Sequence, residues 1–75
     1  MTELEKAREA MMTAWQAFID ATRDYHEARN AYWNDSYCEE KQTLLRETEV
    51  KRNRASEIYY AADKAYTAAL AAQDT

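Results

Sequence analysis

The chain has no glycine and no proline in 75 residues, and only one cysteine and one histidine. Average usage would place about five Gly and nearly four Pro in a chain of this length. Gly is the residue that takes a left-handed backbone at little cost, so its absence excludes tight hairpin turns and phosphate-cradling loops. The lack of Pro excludes collagen and polyproline linkers. A single cysteine, Cys38, excludes an internal disulfide and fits a reducing compartment. Long aliphatic residues are scarce, with four Leu, two Ile, one Val and one Phe against fifteen Ala and six Tyr. What remains is helix joined to helix, an all-α fold in one domain over residues 1–75.

Charge and address narrow the class further. The net charge is −4, divided as −3 over residues 1–37 (four basic, seven acidic) and −1 over residues 38–75 (six basic, seven acidic). A phosphate-tracking protein carries a basic face, and none stands out in bulk. The start, Met1-Thr2-Glu3-Leu4-Glu5-Lys6, is acidic and amphipathic and does not read as a secretory signal. No apolar run approaches the ~18 residues of a membrane span. The expected location is the cytoplasm.

Two helices follow from capping chemistry. Thr2-Glu3-Leu4-Glu5 fits a capping box, in which a hydroxyl and a carboxylate satisfy the free N–H groups of a helix start. Ser36-Tyr37-Cys38-Glu39 fits it again, directly after the turn-forming Asn34-Asp35. Helices are expected near 3–34 and near 37–72, each about 50 Å long at ~1.5 Å per residue. Two alternatives stay open at this point. Lys51-Arg52-Asn53-Arg54 interrupts the apolar pattern, so Ser56 could cap a third helix. A single unbroken helix results if Asn34–Ser36 does not turn.

Heptad spacing supports the hairpin. Leu4, Met11, Phe18, Tyr25 and Tyr32 recur every seven residues, with Ala7, Ala14, Ala21 and Ala28 three further on. In the second half Thr48, Ala55, Ala62 and Ala69 alternate with Leu45, Arg52, Tyr59 and Tyr66. Folding the chain between Ser36 and Tyr37 sets Leu4 against Ala69, Ala14 against Tyr59, Phe18 against Ala55 and Tyr25 against Thr48. Each layer then joins one large residue to one small one, as close packing requires. The result is a long antiparallel coiled-coil hairpin with an Ala-rich seam.

The two flanks of the seam differ. One is an apolar strip of Ala10, Ala17, Ala31, Leu44, Ile58, Ala65 and Ala72, crossed by an Asp24–Lys51 ion pair. The other is polar except for Trp15, which Met12 and Ile19 join on the same helix face and Tyr60 approaches from the second helix. Trp33 and Tyr37 form a smaller aromatic group beside the turn. One thin seam is a meagre core for a small domain without disulfide or metal, so association is the remaining route to stability. A homodimer is expected, a four-helix bundle with the Ala strip inside.

Catalytic and metal chemistry find no footing. His26 and Cys38 sit on opposing helices two to three turns apart, too far for a nucleophile–base pair. There is no Glu-x-x-His pair, zinc spacing or P-loop. The chain is expected to be no enzyme and to need no cofactor. Exposed Trp and Tyr are enriched at binding hot spots, so Met12, Trp15, Ile19, Tyr60, Trp33 and Tyr37 are the candidate contacts of a protein-binding module. An inhibitor or adaptor, such as a phage or mobile-element accessory protein, fits that description. The alternative is RNA binding through Arg46, Arg52 and Arg54. The layout of a hairpin that pairs into four helices resembles the ROP family of plasmid copy-control proteins, which recognise paired RNA loops despite an acidic composition. That resemblance is architectural and carries over no residues. Nucleic-acid mimicry is a third reading, for which −4 is a weak charge.

Overall fold

The structure, a computed structural model, describes residues 2–73. Two helices account for nearly all of them, α1 (Glu3–Asn34) and α2 (Glu39–Gln73). They pack side by side along their length into a rod of 58 × 15 × 13 Å. The chain is an all-α helical hairpin. None of its helices is long and apolar enough to cross a membrane, as judged over the described residues.

α1 starts as its sequence dictates. Thr2 is extended (φ −74°, ψ 165°), and its Oγ1 accepts a hydrogen bond from the Glu5 N–H at 3.1 Å. The Thr2 carbonyl accepts from the Lys6 N–H at 3.1 Å. Glu3 and Glu5 in this first turn, like Glu39 and Glu40 in the first turn of α2, face the positive end of a helix dipole. At the far end the Asp35 N–H donates to the carbonyls of Ala31 and Tyr32, closing α1.

The turn departs from the expected capping box. α2 begins at Glu39, two residues later than position 37, and runs to Gln73. Ser36 and Tyr37 belong to the turn, and Ser36 enters it through its main-chain carbonyl, which accepts from Gln42 Nε2 at 2.9 Å. The Cys38 N–H donates to the Asp35 carbonyl, and the Cys38 carbonyl accepts the first helical bond, from the Gln42 N–H. Lys41 Nζ lies 3.7 Å from Asp35 Oδ2 across the same turn. The reversal thus uses a main-chain turn with no residue at positive φ among those described. A chain without Gly gains by turning this way, since neither Asn34 nor Asp35 then has to take a left-handed backbone. The helix ends at Asn34 and Glu39 still centre it between Ser36 and Tyr37.

The possible break at Lys51–Arg54 does not occur, since α2 is continuous through it. Every residue expected at the seam is buried or half-buried, from Leu4 to Tyr32 on α1 and from Leu45 to Ala69 on α2. Among the described residues only Ala14, Ala28 and Thr48 are buried, and all three are small. The Thr48 hydroxyl is satisfied within its own helix by the carbonyls of Leu44 and Leu45. Large residues pack around these points of closest approach. Tyr59 rests on Phe18 (ring centroids 6.2 Å) and Arg52 lies over Tyr25 (4.5 Å). In both cases the large α2 residue leans on the large α1 residue four positions beyond its expected small partner.

This packing makes the small seam residues irreplaceable by large ones. Ala14→Leu or Ala28→Leu is expected to lower stability by about 1–3 kcal/mol through overpacking. Ala61→Leu, on the exposed outer face, is expected to stay within ~0.5 kcal/mol. Urea denaturation followed by circular dichroism measures all three.

Candidate functional site

The Trp15 flank is built on an aromatic cluster that straddles the two helices. Trp15 stacks on Phe18 of its own helix (6.1 Å, 15° between planes) and meets Tyr59 of α2 at 5.0 Å. Tyr60 makes its ring contact with Tyr59 at 5.8 Å. Tyr60 thus joins the cluster through Tyr59. The ring that crosses to Trp15 is Tyr59, a seam residue facing Ala14, whose small side chain leaves the ring free to lean towards the flank. Tyr60 lies further out on α2 and stays 67% exposed.

Around that cluster the surface is apolar and open. Trp15 keeps 46% of its surface exposed, despite its two ring contacts. Met12 and Ile19, one turn to either side, are also exposed, and a shallow groove of about 270 Å³ lies beside Met12, rimmed by Glu5, Arg8 and Glu9. Met12, Trp15 and Ile19 form one continuous stripe on α1, with Tyr60 on the α2 side of the same face. Trp33 and Tyr37 are exposed next to the turn, at the other end of the rod. Val50 and Leu70 are exposed too. Val50 stands on the outer face of α2, and Leu70 lies beside the seam residue Ala69 on the Trp15 flank.

The opposite flank carries two shallow grooves. One, about 590 Å³, is lined by Ala10, Thr13, Ala14, Ala17 and Ile58, with Lys6 and Glu9 at its rim. The other, about 320 Å³, is lined by Ala28, Ala31, Leu44 and Thr48, with Asp24, Glu27 and Lys51 around it. Ile58 with Ala17, and Leu44 with Ala31, therefore share grooves as the heptad pairing expects. Ala10, Ala17, Leu44, Ile58, Ala65 and Ala72 are exposed and Ala31 is half-buried. The expected Asp24–Lys51 ion pair does not close. Asp24 instead meets Arg23 Nε at 3.8 Å, and Arg23 also reaches Asp20 at 3.9 Å. Neighbours on one exposed helix face meet more easily than side chains that have to span a groove.

The arginines are not gathered. Arg52 is held in the seam over Tyr25, with its terminal nitrogen 3.4 Å from Asn53 Oδ1, while Arg46 and Arg54 are exposed. At 3.6 residues per turn the three spread over roughly 200° of the α2 circumference, which is wider than one face. His26 lies against Tyr25 at 5.7 Å, and Cys38 is half-buried at the turn, some 12 Å or more further along the rod. Among the described residues no group of three His, Cys, Asp or Glu side chains is placed to hold a metal ion.

One polar atom on the Trp15 flank lacks a partner. Thr22 Oγ1 is buried and makes no hydrogen bond, unlike Thr48 Oγ1 in the facing helix. Thr22→Val, which keeps the shape and removes the orphan hydroxyl, is expected to stabilise the chain by about 1 kcal/mol. In the ring cluster, Tyr59→Ala is expected to cost about 2–3 kcal/mol and Tyr60→Ala less than ~0.5 kcal/mol. Thermal unfolding of the three variants separates the structural tyrosine from the exposed one. No protein-family model, no curated protein and no solved structure matches the chain.

Proposed function

We propose that this chain is a non-enzymatic protein-binding module whose contact surface is the Met12–Trp15–Ile19 stripe with Tyr60. The observation that carries the reading is a large indole left 46% exposed at the centre of an apolar stripe. Its Phe18 and Tyr59 contacts hold the ring in place, so little side-chain entropy is lost when a partner covers it. Hot spots have this composition, an anchored aromatic residue surrounded by apolar neighbours. The charged rim of Glu5, Arg8 and Glu9 beside Met12 supplies the polar border usual around such a patch. Trp33 and Tyr37 form a secondary contact beside the turn.

A module of this kind acts by covering another protein's surface, as an inhibitor or adaptor does. It needs no cofactor and no bond-making step. The RNA-binding reading has less support, because Arg52 is committed to Tyr25 and the remaining arginines diverge.

The test is co-purification from the native host with tagged chain, read by mass spectrometry. Trp15→Ala with Ile19→Ala is expected to remove the captured partner while helicity by circular dichroism is kept. A second variant, Met12→Glu with Ile19→Glu, leaves the Trp15 ring cluster intact and is expected to lose the partner as well. Unchanged capture by both variants overturns the proposal, and capture of structured RNA in place of protein would support the Arg-based reading.

A further inference from the structure

The face opposite Trp15 carries a separate conclusion. The chain exposes 5958 Å², whereas a compact monomer of 8.8 kDa exposes about 4,800 Å². The surplus of roughly 1,200 Å² is more than the ~800 Å² that each partner contributes to a standard interface. A second rod laid lengthwise on the first is one way to remove it, and the two flanks are not equally suited to such a contact.

On the Ala flank, the two large apolar residues, Leu44 and Ile58, lie on α2, and Ala31 and Ala17 face them from α1. Ala17 and Ile58 stand at one height along the rod, Ala31 and Leu44 at another, with Asp24 and Lys51 between them. Ile58 and Leu44 are about half exposed and project beside grooves floored by Ala14 and Ala28. Each hairpin thus offers two apolar knobs on one helix and two Ala-lined hollows on the other.

We infer that a second copy of this chain covers this face, related by a two-fold axis that runs along the rod, with both turns at the same end. That axis lays α1 of each copy over α2 of the other without shifting any residue along the rod. Ile58 then enters the hollow at the partner's Ala17, and Leu44 the hollow at the partner's Ala31. Asp24 faces the partner's Lys51, and Lys51 the partner's Asp24, so the charges that fail to meet within one chain meet twice between chains. Large against small, the rule of the internal seam, is repeated at the interface. At the rim Asp20 approaches the partner's Arg54 and Glu27 the partner's Glu47, one attraction and one repulsion that are both solvated. A two-fold axis across the rod, with turns at opposite ends, does worse. It sets Asp24 near the partner's Thr13 and Lys51 near the partner's Ala61, which covers both charges without a counterion.

The Trp15 flank remains on the outside of both copies, so the dimer carries two identical aromatic stripes back to back. The inference does not depend on what those stripes bind.

Cys38, the one cysteine, tests the arrangement in the unaltered chain. With a nitroxide on Cys38, the spin–spin distance is expected to be within roughly 30 Å, the cross-section of a four-helix bundle. A distance near the length of the 58 Å rod would overturn the axis. Sedimentation velocity is expected to give a dimer, and a monomer at every concentration up to about 100 µM would overturn the inference. Asp24→Lys is expected to weaken dimerisation by about tenfold or more, and Asp24→Lys with Lys51→Asp to restore it. A single reversal without effect, or a double reversal without recovery, also counts against it.

Discussion

How closely two helix axes approach is set by the smallest side chains between them. Here those are Ala14 and Ala28 on α1 and Thr48 on α2, the residues most completely withdrawn from solvent. Everything larger is arranged around them. No large side chain is fully buried among the described residues. Phe18, Tyr25, Arg52 and Tyr59 lie instead half in and half out of the seam, stacked along it. The stability of the rod is therefore distributed over many partial burials, each worth a fraction of the ~1.5–3 kcal/mol of a fully buried side chain. Length replaces depth.

That constraint explains how much of the fold is legible in the sequence. Heptad spacing identified the seam residues because each must face the other helix, and a two-helix rod has only one inner stripe. Thr2 announced the start of α1, since its hydroxyl has a single local use. The start of α2 was misplaced by two residues. Ser36 matches a capping pattern, but the Asp35 and Cys38 main chain closes the turn first, which a pattern of side-chain types does not record. The Asp24–Lys51 pair was misjudged for a similar reason, because height along the rod was known and the width of the groove was not. Tyr59 was correctly placed in the seam, yet its reach to Trp15 depends on the room Ala14 leaves, a property of packing. Function was legible only as a contrast of surfaces, since outer helix faces are not constrained by the fold and no motif marks them.

The two flanks differ in kind. One is Ala-lined and grooved, with Ile58 and Leu44 beside its hollows. The other carries a propped indole with exposed apolar neighbours. On the proposed readings the chain uses its hairpin to present both, with the seam holding them at a fixed angle. Neither flank demands a particular residue for folding, so each is free to change its preference without altering the rod.

The reversal lies at one end and the Glu3 start of α1 and Gln73 end of α2 at the other, which gives the rod a direction. Near Asp35 and Cys38 facing residues are only a few positions apart in sequence, whereas Leu4 and Ala69 are separated by nearly the whole chain. A layer paired without its neighbours nearer the turn closes a longer loop the farther out it lies, and the entropy lost grows with loop length. A layer added next to a paired one closes only a few residues. The hairpin is thus a zipper with a fixed stop. Layers beside the turn are the cheapest to pair first, so the Leu4–Ala69 layer, farthest from it, is expected to be the first to lose its pairing.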